Sequence, residues 1–434
     1  MSILFTNVTA VTMNPDAPVL KDAFVLVEGT GISYVGTQAP EGVFEQTVDC
    51  TGKVMMPGFV NTHTHIPMTL LRGYGGGCDL HTWLNDYIFP AEARLDDRAV
   101  AAATGLGLAE MIASGVTCIA DMYAHTGAVA QEIVRAGISA NLSCGGVYFG
   151  AAEDFSPDKC NDCRNQQLLT EQWHNYNDGQ IMVDASIHAE YTSNAPLWRW
   201  MADYAREHGQ RMHVHVSETQ SEQAACLERH GKTPIQILDT YGVWDNGGIA
   251  AHCVYTTEED WAVMAAKNVT AVHNPYSNLK LGSGVARVPA MLAAGVNVSL
   301  GTDGVSSHNS TDMFADMKLA ALLHSGVNCA PGIVSTRQAL YMATVNGANA
   351  LGRNTGVIAA GRTADLILVD FGAPNLIPCH DVEENLVFSA YGANVVMNMA
   401  CGRIIYKDGE YYTLDLERIR HEVQDYALPL VFGR

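Results

Sequence analysis

Two rhythms of apolar and polar positions divide the chain. Residues 1 to about 53 alternate at the period of a strand, in "ILFTNVTAVTM" and "AFVLVEGTGISYVG". Residues from about 364 to 414 do the same, in "ADLILVDF" and "VVMNMACGRIIYKDGEYYTL". The simplest arrangement pairs the two ends in one small β-sandwich domain, residues 1–53 and 364–434, and leaves 54–363 as a single insertion.

The insertion has a different pattern. Short apolar runs alternate with stretches that are apolar at helical spacing, such as "DDRAVAAATGLGLAEMIASG" and "APLWRWMADYAREHG". The runs are "VMMPGFVNTHTH", "VTCIADMY", "ISANLSCGGV", "IMVDASIHAE", "RMHVHVSE", "GIAAHCV", "VTAVHNP" and "NVSLGTDG". Eight βα repeats predict an α/β fold with a closed (β/α)8 TIM barrel as its catalytic domain. A doubly wound open sheet is the alternative, but no GxGxxG fingerprint follows an early strand. Polar residues end six of the eight runs: His63 and His65, His188, His215, His252, His273 and Asp303. In a barrel of this type the C-terminal ends of the strands carry the active site.

Composition narrows the function classes. The 434 residues are 48% hydrophobic and carry a formal net charge of -21, which argues against a nucleic-acid partner, because phosphate neutralisation needs a basic face. No stretch approaches the roughly 20 apolar residues of a membrane helix, and the N-terminus has no basic region before an apolar core. A cytoplasmic location is the default expectation. Eleven scattered cysteines do not form a disulfide framework. Cys160 and Cys163 make one CxxC, without the second pair that a structural zinc site requires.

The strand ends suggest metal chemistry. Residues i and i+2 of a strand point the same way, so His63 and His65 project together. Two imidazoles can share one cation, or they can be hydrogen-bonded core residues. On the fifth run His213 and His215 share a face; His215, nearer the end, is the better ligand, and His213 lies a layer deeper. Asp303 closes an apolar run, where a carboxylate is costly unless paired or coordinated. Glu218, three residues past His215, is placed to shuttle protons, and His252 to orient or stabilise an attacking water. Strand four ends "ASIHAEY" and offers no lysine to bridge two ions, so one metal is expected. Imidazoles plus a carboxylate suit Zn2+; Fe2+ and Mn2+ accept the same donors.

With these residues in place, the chain resembles the amidohydrolase superfamily. "PGFVNTHTH", "HVSE", "AAHC", "HNPYSNLKLGSG" and "LGTDG" occur in that order, and "GVIAAGRTADLILVD" resembles the family's return into its β-sandwich. Within the superfamily, "LHTWLNDYIFPAEARL", "HNPYSNLKL" and "TDGVSSHNSTDMFADMKLAALL" are most similar to the 5'-methylthioadenosine/S-adenosylhomocysteine deaminases. The resemblance implies metal ligation by His63, His65, His215 and Asp303, with Glu218, His252 and Asp303 as the catalytic groups. Glu92 matches a glutamate that binds ribose hydroxyls, His188 a substrate-binding histidine, and Arg164 falls near a substrate-contacting arginine. It implies hydrolytic deamination of a small-molecule adenine nucleoside, and it suggests a homo-oligomer. The chain departs from the family pattern at Glu190, where proline is frequent, and at His308, where asparagine is common. Deaminases of free bases and triazine hydrolases share the same metal set, and Glu92 is the residue that separates them from a nucleoside enzyme. A barrel kept only as a binding module would be expected to have lost ligands.

Overall fold

The structure, a computed structural model, describes residues 2–78 and 80–433. The two chain ends meet in one nine-stranded sheet. Lys53–Pro57, immediately before the barrel, runs parallel to Ser2–Val11 and antiparallel to Leu366–Asp370, with Met56 opposite Ile367. Strand alternation buries one face of this sheet on a core of its own, built from Phe5, Val25, Ile32, Met55, Leu366 and Met397.

The middle of the chain forms the barrel. Its strands are Phe59–His65, Val116–Met122, Ser139–Ser143, Ile181–Val183 continued by Ala185–Ala189, Met212–Val216, Gly248–His252, Val269–His273, and Val298–Leu300 continued by Asp303–Gly304. All pairings between them are parallel. The strands are buried on both faces, which is why the sequence shows continuous apolar runs rather than alternation.

The fourth and eighth strands are broken. Ile181–Val183 pairs with the third strand and Ala185–Ala189 with the fifth. Val298–Leu300 pairs with the seventh strand and Asp303–Gly304 with the first. The hydrogen-bonded barrel is therefore two five-stranded arcs. Side chains close the seam where the backbone ladder lapses. Asn61 donates to Thr302 Oγ1 at 2.8 Å and accepts from the Thr302 amide at 3.0 Å, and the Thr62 and Ser299 hydroxyls meet at 2.7 Å. At the other break Asn141 donates to Asp184 at 2.9 Å. Gly301 has to lack a side chain, because a Cβ there would lie 2.9 Å from His63 Cβ and from Asn274 Oδ1.

Asp97–Ala113 follows the first strand. Asp96 caps it by accepting the Ala99 amide. Gly107 lets this helix press on Ile66 and Thr69, which a Cβ would meet at 2.7 Å. The terminal helices in 416–432 lie against the same helix: Arg98 pairs with Glu422, and Tyr426 donates to Asp96.

Candidate functional site

Side chains from five strands converge at the C-terminal mouth. His63 Nε2 and His65 Nε2 lie 3.4 and 3.2 Å from Asp303 Oδ1, and His215 Nε2 is 3.2 Å from His65 Nε2. His63, His65 and Asp303 form one group with metal-ligand spacing, and His63, His215 and His252 form a second that shares His63. Each imidazole is held by its other nitrogen. His65 Nδ1 meets the Met122 carbonyl at 2.5 Å, His215 Nδ1 the His188 carbonyl at 2.7 Å, and His63 Nδ1 the His213 ring at 2.8 Å. A carbonyl can only accept, so Nδ1 of His65 and His215 carries the proton and Nε2 presents a lone pair. His63 Nε2 is buried with no hydrogen-bond partner, an orphan that a cation would satisfy. The donor set therefore fits a divalent metal ion.

The backbone at this mouth is unusual. Ser217, His252, Cys253 and Asp303 adopt φ of +51°, +72°, +50° and +62°. Left-handed conformations cost a non-glycine residue on the order of 1 kcal/mol, and they gather here at strand ends.

Above the histidines is a cavity of about 300 Å3. Glu218 and His252 face each other across its floor, Oε2 to Nε2 at 3.7 Å. Burial raises the Glu218 carboxyl, against the opposing pull of His252. Ser283 donates to Glu218 Oε1 at 3.1 Å, and His252 Nδ1 lies 2.8 Å from Asn278 Oδ1. Asp303 uses its second oxygen to accept from Ser277 and Ser307 at 2.5 and 2.8 Å. Glu92 lines the same cavity and accepts from the Tyr123 hydroxyl at 2.6 Å. Burial raises the Glu92 carboxyl, opposed by that hydrogen bond. His188 also lines the cavity, its ring centroid 4.6 Å from that of His215.

Not every residue singled out in the sequence reaches the cavity. Arg164 does not: it is exposed on the helix Asn161–Trp173 and donates to Asn161. The helical spacing around it turns its side chain to the outer surface of the barrel. His213 lies behind His63, between that ring and the Ser143 hydroxyl at 3.1 Å. His273 faces away from the ligand cluster toward His324, 3.3 Å distant. Buried Glu190 takes Arg229 and His230 as partners, and His308 pairs with Asp316 at 2.8 Å. Cys160 and Cys163 are free and buried at the start of the Asn161–Trp173 helix.

Sequence reasoning missed the supporting residues. Ser277, Asn278 and Ser283 lie within "HNPYSNLKLGSG", whose clustered polar residues after a strand end were a signal that could have been read. Tyr123, and Glu222, which accepts the backbone amides of Ser217 and Glu218, had none.

A model of the amidohydrolase family matches residues 54–405. The chain belongs to the amidohydrolase family. A 5'-deoxyadenosine deaminase of Methanosarcina mazei is 40% identical to this amidohydrolase over 429 residues, 99% of this chain and 98% of that one. A 5-methylthioadenosine/S-adenosylhomocysteine deaminase of Moorella thermoacetica is 40% identical, covering 97% of this chain and 98% of its own. An adenosine deaminase of Xanthomonas campestris, solved with bound zinc, shares the fold at a TM-score of 0.92 and 31% identity, over 99% of this chain and 98% of that one. Among the described residues of this amidohydrolase, no helix is long and apolar enough to cross a membrane.

Proposed function

We propose that this amidohydrolase deaminates adenine nucleosides, taking the nucleoside and water to the inosine analogue and ammonia. The observation that carries the reading is the shared cavity: Glu218 and His252 stand over the cluster of His63, His65, His215 and Asp303, and Glu92 lines the same space. The relatives named above, all deaminases of adenosine-type nucleosides, support it.

His63, His65, His215 and Asp303 would hold the ion, and zinc is the metal we propose for this donor set. When bound, such an ion supplies Lewis acidity that makes a coordinated water acidic near neutral pH. The chain's own groups move the protons. Asp303 takes one from the water as its oxygen adds to C6 of the adenine ring. With Nδ1 turned to Asn278, His252 offers the Nε2 lone pair to the same water. Glu218, whose buried carboxyl retains its proton to higher pH than an exposed one, delivers it to N1 and so makes C6 electrophilic. Asp303 passes the proton it took from the water to the departing amine, the C6–N bond breaks and ammonia leaves, and the C6 hydroxyl returns its remaining proton to Glu218 as the carbonyl forms. Glu92 holds the ribose hydroxyls, remote from the bond that breaks, and orients the base. His188 lies along the base. A homo-oligomeric state is part of the proposal and is checked by light scattering.

The test is ammonia release, together with loss of adenine absorbance, from adenosine, 5'-deoxyadenosine, 5'-methylthioadenosine and S-adenosylhomocysteine with metal-replete protein. Turnover of at least one is expected. Turnover of none defeats the reading.

A further inference from the structure

The adenine nucleosides named for the relatives differ at the 5' carbon, which bears hydrogen, a methylthio group or a homocysteinyl thioether ending in an amino acid. Resting on the deaminase reading, we infer that this cavity selects nucleosides with a small, uncharged 5' substituent and rejects the zwitterionic one.

Glu92 ends the helical segment 80–92, and the same segment lines the cavity with Leu80, Trp83, Leu84 and Phe89. A nucleoside whose ribose hydroxyls meet Glu92 therefore carries its 5' carbon along an apolar wall. Leu281 and Met68 line the same cavity. A methyl or methylthio group gains from leaving water there. A homocysteinyl group brings a carboxylate, which loses hydration on entry and needs a cation in return.

The charged groups facing the cavity have the wrong sign for that. Glu92, Glu218 and Asp303 line it, and no lysine or arginine does among the described residues. Arginines on nearby elements are engaged elsewhere. Arg72 binds Glu110 and the Asn309 carbonyl, Arg94 donates to the Val431 carbonyl, and Arg164 donates to Asn161. A cavity of about 300 Å3 is also at the small end of ligand sites, leaving little room for a long substituent.

The experiment compares kcat/KM for 5'-deoxyadenosine, 5'-methylthioadenosine, adenosine and S-adenosylhomocysteine in metal-loaded enzyme. The first two are expected to exceed S-adenosylhomocysteine by about 100-fold or more, with adenosine between. Phe89→Arg adds a cation to the wall at a position already 46% exposed, so the fold should tolerate it. It is expected to raise kcat/KM for S-adenosylhomocysteine at least tenfold and to lower that for 5'-methylthioadenosine. Equal or better turnover of S-adenosylhomocysteine by the unaltered enzyme overturns the inference and leaves the deaminase reading standing. A Phe89→Arg enzyme with unchanged preference overturns the placement of the 5' group on this wall. No ammonia from any nucleoside overturns both readings together.

Discussion

Glu222→Gln offers a quantitative test of how the site is held. Glu222 is buried on the helix Gln220–His230 and grips the turn that carries Glu218, accepting the Ser217 amide at 2.8 Å and the Glu218 amide at 2.7 Å. Burial, and then the charge of Glu218, push its carboxyl from 4.5 up to about 7. A carboxyl whose folded value lies above its unfolded value stabilises the fold in its protonated form. That contribution is complete below pH 4.5 and is lost as the pH climbs through 7. A rise from 4.5 to about 7, at about 1.4 kcal/mol per unit, corresponds to about 3.4 kcal/mol. With an unfolding entropy of roughly 2.1 cal/mol/K per residue, this moves the melting temperature of a 434-residue chain by about 4 °C. Glutamine keeps the shape and does not titrate. The variant is expected to be less stable than the parent at pH 5, because its NH2 faces a backbone N–H, a mismatch worth about 1–3 kcal/mol. Between pH 5 and 8, a window that holds most but not all of that loss, the parent should then lose about 3 °C relative to the variant in calorimetric scans. A kcat reduced about tenfold at nearly constant KM should accompany this, as Glu218 loses its fixed backbone. Melting curves that stay parallel across this range would refute the coupling of Glu222 to the fold.

Further expectations follow from the geometry. Glu218→Gln should lower kcat by about 10²–10⁴ with KM within a few-fold, the signature of lost proton transfer, measured by ammonia release. Glu92→Gln should raise KM for the best nucleoside about 10–100-fold, from the loss of charge-assisted hydrogen bonds; an unchanged KM would point to a free base as substrate. His63→Asn should lower the metal content of purified protein well below one equivalent, read by atomic emission. Chelation of the parent should lower its melting temperature, and re-addition of the ion should restore it, because a ligand of the folded state stabilises by mass action.

Much of the barrel was legible because its strands are buried on both faces and end on residues that apolar surroundings do not tolerate without partners. "FVNTHTH" and "LGTDG" declare themselves in that way. The breaks in strands four and eight were not legible. An interruption at Asp184, or at Gly301 and Thr302, leaves the apolar pattern intact on either side. The supporting shell was hidden for a different reason. Ser307 and Ser277 meet Asp303 from positions 4 and 26 residues away, and Tyr123 reaches Glu92 across 31. Such pairings depend on how neighbouring elements align in space, which local patterning does not encode. Arg164 shows the same limit: its place along the chain says nothing about which side of the helix it occupies, and it lies exposed on Asn161–Trp173.

The two interruptions also give the proposed ion a mechanical role. His63, His65 and Asp303 belong to one half of the cylinder, and His215 and His252 to the other. A cation gripped from both halves is a rivet across a joint that the main chain spans only at isolated points, such as Gly146 with Ser186 and His188. Stripping it should let amide protons along Ala185–Ala189 and Asp303–Gly304 exchange faster, while those inside either half, such as Val269–His273, keep their protection.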